Sequence, residues 1–387
     1  MDSKLPATGT TIFAIMSGLA DECDAINLSQ GFPSFNPDQA LLDLITHHLN
    51  NGGNQYAPMT GVPKLCRAIG EKVASLYGRD VDVDVDVEHE VTVCDGATEG
   101  LFSVIQATVH PGDEVIVFDP AYDSYEPSVT LAGGKTIHIP LIESADVPDY
   151  HIDWDRLRQA INERTRLLIV NFPHNPTGVI LTSDDLDTLA EVVRDTGIYL
   201  LSDEVYEHIV FDGHEHQSLL RHDELWERTF VVSSFGKTYH ATGWKVGYCV
   251  APAKLTAEFR KIHQWVCYTV VSPIQHALGD YLPSNPEHYE RLPGFYEEKR
   301  DRFCELVADS RFTLRPTNGT FFQMLDYSEI SAEDDVSYAK RLTREIGVAS
   351  IPISVFCADP VAGHQLRFCF AKDDAMLEEA AERLCQL

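Results

Sequence analysis

"RTFVVSSFGKTYHATGWKVGY", residues 228–248, runs from an apolar, β-branched stretch through Ser233, Ser234 and Gly236 to a lysine, Lys237. A second lysine, Lys245, follows eight positions on in a Gly-containing, aromatic setting. The apolar run predicts a buried strand and the small residues after it a turn. Lysine is ordinarily a solvated surface charge, so one set at the end of a buried strand needs a chemical reason.

The same pattern recurs upstream. "EVTVCDG" (90–96) precedes "ATEGLFSVIQATV" (97–109), whose apolar residues at 101, 104, 105 and 109 share one helical face, and "PGDEVIVFDP" (111–120) reads as turn, buried strand and stop. "RTRLLIVNFPHNPTG" (164–178) is a strand ending in Asn and Pro, and "GIYLLSDEVYE" (197–207) is a strand ending in acids. Strands alternating with helical patterns predict parallel βαβ units, hence an α/β fold with a mostly parallel sheet flanked by helices. In such sheets the ligand crevice lies beyond the carboxyl ends of the strands, which is where Asn175, Asp203 and Lys237 fall.

The pattern changes after about residue 275. A helix-rich region, clearest at "EHYERLPGFYEEKRDRFCELV", leads to strand candidates at "GTFFQMLDY" (319–327), "VASIPIS" (348–354) and "QLRFCFA" (365–371). The division expected is a large α/β domain over 45–275 and a smaller α+β domain made of 1–44 and 276–387. A chain of 387 residues also exceeds the ~250–300 at which single cores stop growing. No period of 20–50 residues recurs, so solenoids and propellers are not expected.

Charge and cysteine usage narrow the function classes. With 60 acidic against 30 basic residues the formal net charge is −30, which opposes binding to nucleic acid or to an anionic membrane. The nine cysteines form no C-x-x-C pair and are odd in number, so neither a zinc site nor a full disulfide framework is expected, and a reduced, cytoplasmic compartment fits. "TIFAIMSGLA" (11–20) is too short to span a bilayer and has no basic flank, so it reads as a helix and not as a signal peptide. "VDVDVDVEHE" (81–90) fails as a calcium loop, because Val87 and Val93 stand where such a loop starting at Asp82 needs Gly and Glu; it reads as a charged edge or loop. "HEH" (214–216) reads as solvated.

Asn175, Asp203 and Lys237 each have a plain alternative: a turn, a helix cap and a surface charge. Their joint occurrence at successive strand ends points instead to one site. With "LSQGFPSF", "NQYAPMTGVPKL", "FDPAYDSY", "SSFGKTYHATGWKVGYCVAP" and "IPISVFCADP", the chain resembles, over essentially its whole length, the fold-type-I, pyridoxal-phosphate-dependent aminotransferases of class I/II. Within them it is most similar to the bacterial methionine aminotransferase group, related to kynurenine and glutamine transaminases.

The resemblance implies a role for each matching residue. Lys237 becomes the lysine that bonds covalently to pyridoxal 5'-phosphate and then moves the substrate α-proton. Asp203 faces the pyridine nitrogen, and Tyr206 and Asn175 reach the ring oxygen. Ala97 and Thr98, at a helix N-terminus, take the phosphate together with Ser234 and with Lys245, which stands where most of the superfamily carries arginine. Tyr122 stacks on the ring, with core packing as the plain alternative. Tyr56 reaches the phosphate of a neighbouring subunit, which implies a homodimer with shared active sites. Arg367 grips the substrate α-carboxylate, and Gly31 lines the same pocket or is simply a turn.

The activity implied is amino transfer from methionine or an aromatic amino acid, extending to glutamine or kynurenine, to a 2-oxo acid. Phe13 and Phe32 could line an apolar side-chain pocket, and no second arginine for a dicarboxylate substrate is assignable. Two alternatives stay open: a carbon–sulfur β-lyase using the same Lys237 and Asp203, and a non-catalytic cofactor-binding sensor. Acidity and the lack of a helix-turn-helix pattern ahead of Gly31 oppose the sensor. No metal is called for.

Overall fold

Helix Ile12–Glu22 starts on a Thr11 hydroxyl that accepts the Ala14 N–H, and leads into the short strand β1 (Ile26–Asn27). This is a computed structural model, and it describes residues 2–6, 8–79, 90–142, 150–359 and 363–387. Residues 81–89, nearly all of the acidic stretch read as an edge or loop, lie outside the described residues.

The five strands expected in the middle of the chain form as β2 (Val91–Cys94), β3 (Glu114–Asp119), β5 (Thr165–Asn171), β6 (Tyr199–Asp203) and β7 (Thr229–Ser234). They join β4 (Lys135–Pro140) and β8 (Gly247–Val250) in one seven-stranded sheet of order β2-β8-β7-β6-β5-β3-β4. The pairs from β7 to β4 are parallel, and β8 runs antiparallel to both of its neighbours. Strands such as β3 and β7 are buried almost throughout, which is why they read as continuous apolar runs instead of alternating ones. β4 lies at the sheet edge with most of its residues half-buried, and its mixed sequence "KTIHIP" carried no such run.

The remaining strands are β9 (Thr313–Leu314), β10 (Phe322–Asp326), β11 (Val348–Ala349), β12 (Ile351–Pro352) and β13 (Gln365–Cys369). They form an antiparallel sheet β12-β13-β10-β9, while β11 pairs in parallel with β1. One core joins Met16 and Leu28 to Tyr296, Phe303, Leu366 and Leu377, so the N-terminal helix packs with C-terminal elements. The helix expected around 287–307 runs over Glu287–Leu306 and tolerates Pro293 inside it. No helix among the described residues is long and apolar enough to cross a membrane.

Candidate active site

Strand register assembles the site. In the parallel ladder Asn171 is opposite Asp203, and Asp203 is opposite Val232, so β5, β6 and β7 end together and their first loop residues emerge at one edge. β8 runs the other way and starts there, with Ser234 opposite Gly247, which brings Lys245 to the same edge. The helix Gly96–Thr108 begins beside it after β2. Gly247 must be glycine at this junction: a Cβ would stand 2.5 Å from the Ser233 carbonyl and 3.0 Å from the Ala97 nitrogen.

The result is a cavity of about 310 Å³ lined by Gly31, Ala97, Thr98, Tyr122, Asn175, Asp203, Tyr206, Ser234, Lys237, Lys245 and Arg367. Phe13 lines it as well, but two residues singled out from the sequence do not: Tyr56 is 83% exposed on the surface of this chain, and Phe32, expected as a pocket wall, is 43% exposed with its ring under Lys372 Nζ instead. Of the "HEH" histidines, His214 is exposed as expected, but His216 is not solvated. Its ring nitrogen sits 2.8 Å from Glu204, in the loop that follows β6.

Asp203 is buried at the end of β6. Desolvation pushes its carboxyl up to about 6, against the opposing pull of the Tyr125 hydroxyl, the Val205 N–H and the Lys237 charge. Lys237 is held on the one-turn helix Phe235–Thr238, and its Nζ donates to the Gly31 carbonyl at 2.8 Å. Burial pushes its ammonium down to about 8; the Arg367 and Lys245 charges press the same way, while Asp203 opposes them.

Arg367 stands on β13 and reaches the loop after β5 of the large sheet. Nη1 donates to Asn175 Oδ1 at 2.8 Å and Nη2 to the Ser29 carbonyl at 2.9 Å. The guanidinium lies 3.8 Å from the centroid of the Phe322 ring and 5.3 Å from that of Phe13. Its Nε is buried without a partner among the described residues. Burial brings its pKa down to about 10, so it remains a cation at neutral pH.

The other end of the cavity is built for an anion. The helix Gly96–Thr108 starts without a side-chain cap, leaving the first N–H groups free for a ligand, and Ser234 and Lys245 line the same end. Gly96 has φ +69°, and a Cβ there would approach Lys245 Nζ to 3.0 Å. Glycine thus leaves the lysine room beside the helix start.

The sequence reading did not single out several supporting residues. Asn171 Nδ2 donates to the Asp203 carbonyl and its Oδ1 accepts the Asn175 N–H, tying two strand ends together. Phe322 supports the arginine. Behind the β6 loop, buried Glu207 accepts from Lys72 (2.8 Å), Ser233 (2.6 Å), Tyr248 (2.5 Å) and Tyr77 (2.5 Å). Burial alone would raise this carboxyl, but the Lys72 charge holds it well below the usual carboxylate range. The alternation in "DEVYEH" was a signal for this: Asp203 and Tyr206 line the cavity, while Glu204 and Glu207 anchor the loop from behind.

Beside this geometry, the family model for aminotransferase class I and II matches residues 24–384. The chain belongs to this family. It is a pyridoxal-phosphate-dependent aminotransferase with the expected fold. A methionine aminotransferase of Escherichia coli (strain K12) is 50% identical over 385 residues, covering 100% of this chain and 98% of that protein. A probable N-succinyldiaminopimelate aminotransferase of Mycobacterium tuberculosis is 37% identical, with coverage of 100% and 98%. A solved Escherichia coli structure, described as having a methionine aminotransferase function, superposes with a TM-score of 0.96 at 49% identity, covering 100% of this chain and 99% of that one.

The cavity of this aminotransferase fits its cofactor on its own evidence. A buried carboxylate, an amine, and an uncapped helix start with a lysine and a serine beside it line one cavity. The buried, partnerless Arg367 Nε marks a place for a further anionic group.

Proposed function

We propose that this aminotransferase takes methionine and aromatic amino acids as donors, with glutamine or kynurenine as further candidates, and passes the amino group to a 2-oxo acid. The observation that carries the reading is the lining around Arg367. Phe13 and Phe322 flank the guanidinium, Val205 is close by, and the cations lining the cavity among the described residues are Lys237, Lys245 and Arg367. A substrate whose α-carboxylate takes Arg367 finds apolar surface for its side chain and no further arginine for a second carboxylate. The identity to a methionine aminotransferase supports the same class.

Each side chain then has a task. Arg367 and the Gly31–Asn175 side of the cavity orient the amino acid. Lys237 would hold the cofactor covalently before substrate arrives, and as a free amine it would take the α-proton and return it. Asp203 would take the ring nitrogen, Asn175 and Tyr206 the ring oxygen, and Tyr122 the ring itself. The Ala97 and Thr98 N–H groups, Ser234 and Lys245 would hold the phosphate. Bound pyridoxal phosphate supplies the electron sink for charge developing at the α-carbon and carries the amino group between half-reactions.

A panel of amino acids, each assayed for 2-oxo acid and separately for pyruvate plus ammonia, tests the reading. Methionine and aromatic donors are expected to exceed aspartate by at least about tenfold in kcat/KM, the worth of one well-placed apolar contact. Aspartate as the best donor would overturn the substrate class. Pyruvate and ammonia as main products from a cysteine conjugate would assign the carbon–sulfur lyase instead.

The working unit we infer is a homodimer in the cytoplasm, each chain divided into a large domain over 45–275 and a small one made of 1–44 and 276–387. Exposed apolar side chains support the dimer: Trp265 is 84% exposed, Tyr268 is 52% exposed, and the Tyr268 ring meets that of Tyr56 edge-on at 5.8 Å. No disulfide joins any of the nine cysteines, all of them among the described residues, which supports a reducing compartment. Sedimentation is expected to give twice the chain mass. Tyr56→Phe is expected to weaken cofactor binding about tenfold, as loss of a hydroxyl on a charged phosphate should. A monomer of full activity would refute the shared site.

A further inference from the structure

Asp203 is held from behind by a side chain to which the assignments above give no task. Tyr125 opens the helix Tyr125–Ala132 that follows β3, two strands away from β6 in the sheet, and only tertiary packing brings it to Asp203. It is buried, its ring stands edge-on to Tyr122 at 5.6 Å, and its hydroxyl donates to Asp203 Oδ2 at 2.7 Å. Among the described residues the other carboxylate oxygen receives the Val205 N–H alone, at a long 3.4 Å. Tyr125 is therefore the short donor to a carboxylate that burial drives toward its neutral form.

The arrangement has two consequences. A donor to the charged form opposes protonation of Asp203, and by occupying Oδ2 from the protein side it fixes the rotation of the carboxylate in the cavity. We propose that Tyr125 is a positioning residue that keeps Asp203 ionised and aimed at the ring-nitrogen end of the cofactor cavity. The proposal rests on the assignment of Asp203 to that nitrogen. Tyr125 itself is not among the residues that line the cavity.

The experiment uses the holoenzyme and its apoenzyme, with Tyr125→Phe, Asp203→Asn and the double variant. Tyr125→Phe removes one oxygen and keeps the ring packed on Tyr122. It is expected to weaken pyridoxal phosphate binding to the apoenzyme about tenfold and to lower kcat about tenfold, with KM for the amino acid changed less than about twofold. The pH midpoint of the visible band of the lysine-linked cofactor is expected to rise, because a more readily protonated Asp203 leaves less positive charge on the ring. A ring-fluorinated tyrosine at the same position, a stronger donor of nearly the same shape, is expected to move that midpoint the other way.

In the Asp203→Asn background the Tyr125→Phe change is expected to cost less than about twofold, since the carboxylate it serves is gone. An unchanged pH midpoint, an equal loss in both backgrounds, or a Tyr125→Phe chain that fails to fold would each overturn the proposal and make the hydroxyl a packing element. If Asp203→Asn alone left cofactor affinity and turnover intact, the assignment of Asp203 would fall first, a result distinct from failure of Tyr125.

Discussion

Lys237→Ala is expected to lower kcat for transamination by about four orders of magnitude or more and to remove the visible band of the lysine-linked cofactor. Magnitude decides why this lysine and no surface lysine does the work. With its pKa brought down to about 8, roughly a quarter of Lys237 is the neutral, nucleophilic amine at pH 7.5; at an ordinary lysine value only roughly one part in a thousand would be. The cause is positional. The Phe235–Thr238 turn carries the amine into a desolvated cavity whose other cations, Arg367 and Lys245, both oppose a further charge. Folding depresses the pKa, so the neutral form gains as pH rises through about 8. The rate at which the apoenzyme takes up pyridoxal phosphate should climb over that window and level off above it. Lys245 lines the same cavity and serves as the control: a lysine-linked band persisting in Lys237→Ala would transfer the covalent role to it and refute the assignment.

The large sheet was legible because burial on both faces forces continuous apolar runs, and the cavity because polar residues at the ends of such runs have little else to do. Asn175, Asp203 and Lys237 could be placed from that alone, while Arg367 and Gly31 came through family motifs, since nothing local to "QLRFCFA" says what its arginine faces. Other features were not local at all. Tyr125 meets Asp203 across 78 positions and Lys72 meets Glu207 across 135, contacts that depend on packing between elements and leave no periodicity to read. His216 went astray for the same reason: a histidine in a Gly-containing loop looks solvated until Glu204 arrives from the end of β6. β8 was missed because four residues after an aromatic turn are too short a run to set against the lysine motif that precedes them. Tyr56 illustrates the opposite limit: it stands exposed and outside the cavity of this chain, so its assignment rests on the proposed dimer.

Arg367→Ala is expected to raise KM for the amino donor, and Kd for the matching 2-oxo acid, by about two to three orders of magnitude, the cost of leaving a buried charge unpaired. The geometry fixes the mechanism of that loss. Two of the guanidinium N–H groups are spent on Asn175 and Ser29, and the Phe322 face supports the plane, so the fork is set before any substrate enters. What remains for a ligand is Nε, buried without a partner among the described residues, with the second N–H of each Nη beside it, and a carboxylate meets such donors with charge as well as hydrogen bonds. Arg367→Lys should recover little, because an ammonium cannot make the contacts to Asn175 and Ser29 and present a planar edge at the same time. The cofactor end of the cavity is built from other residues, so pyridoxal phosphate affinity should change by less than about threefold in both variants. Spectral titration with a 2-oxo acid reads both quantities in one preparation. An Arg367→Ala enzyme that bound carboxylates as before would show that the anion is held elsewhere, while an equal loss of cofactor would show that the arginine supports the cavity as a whole and not its substrate end.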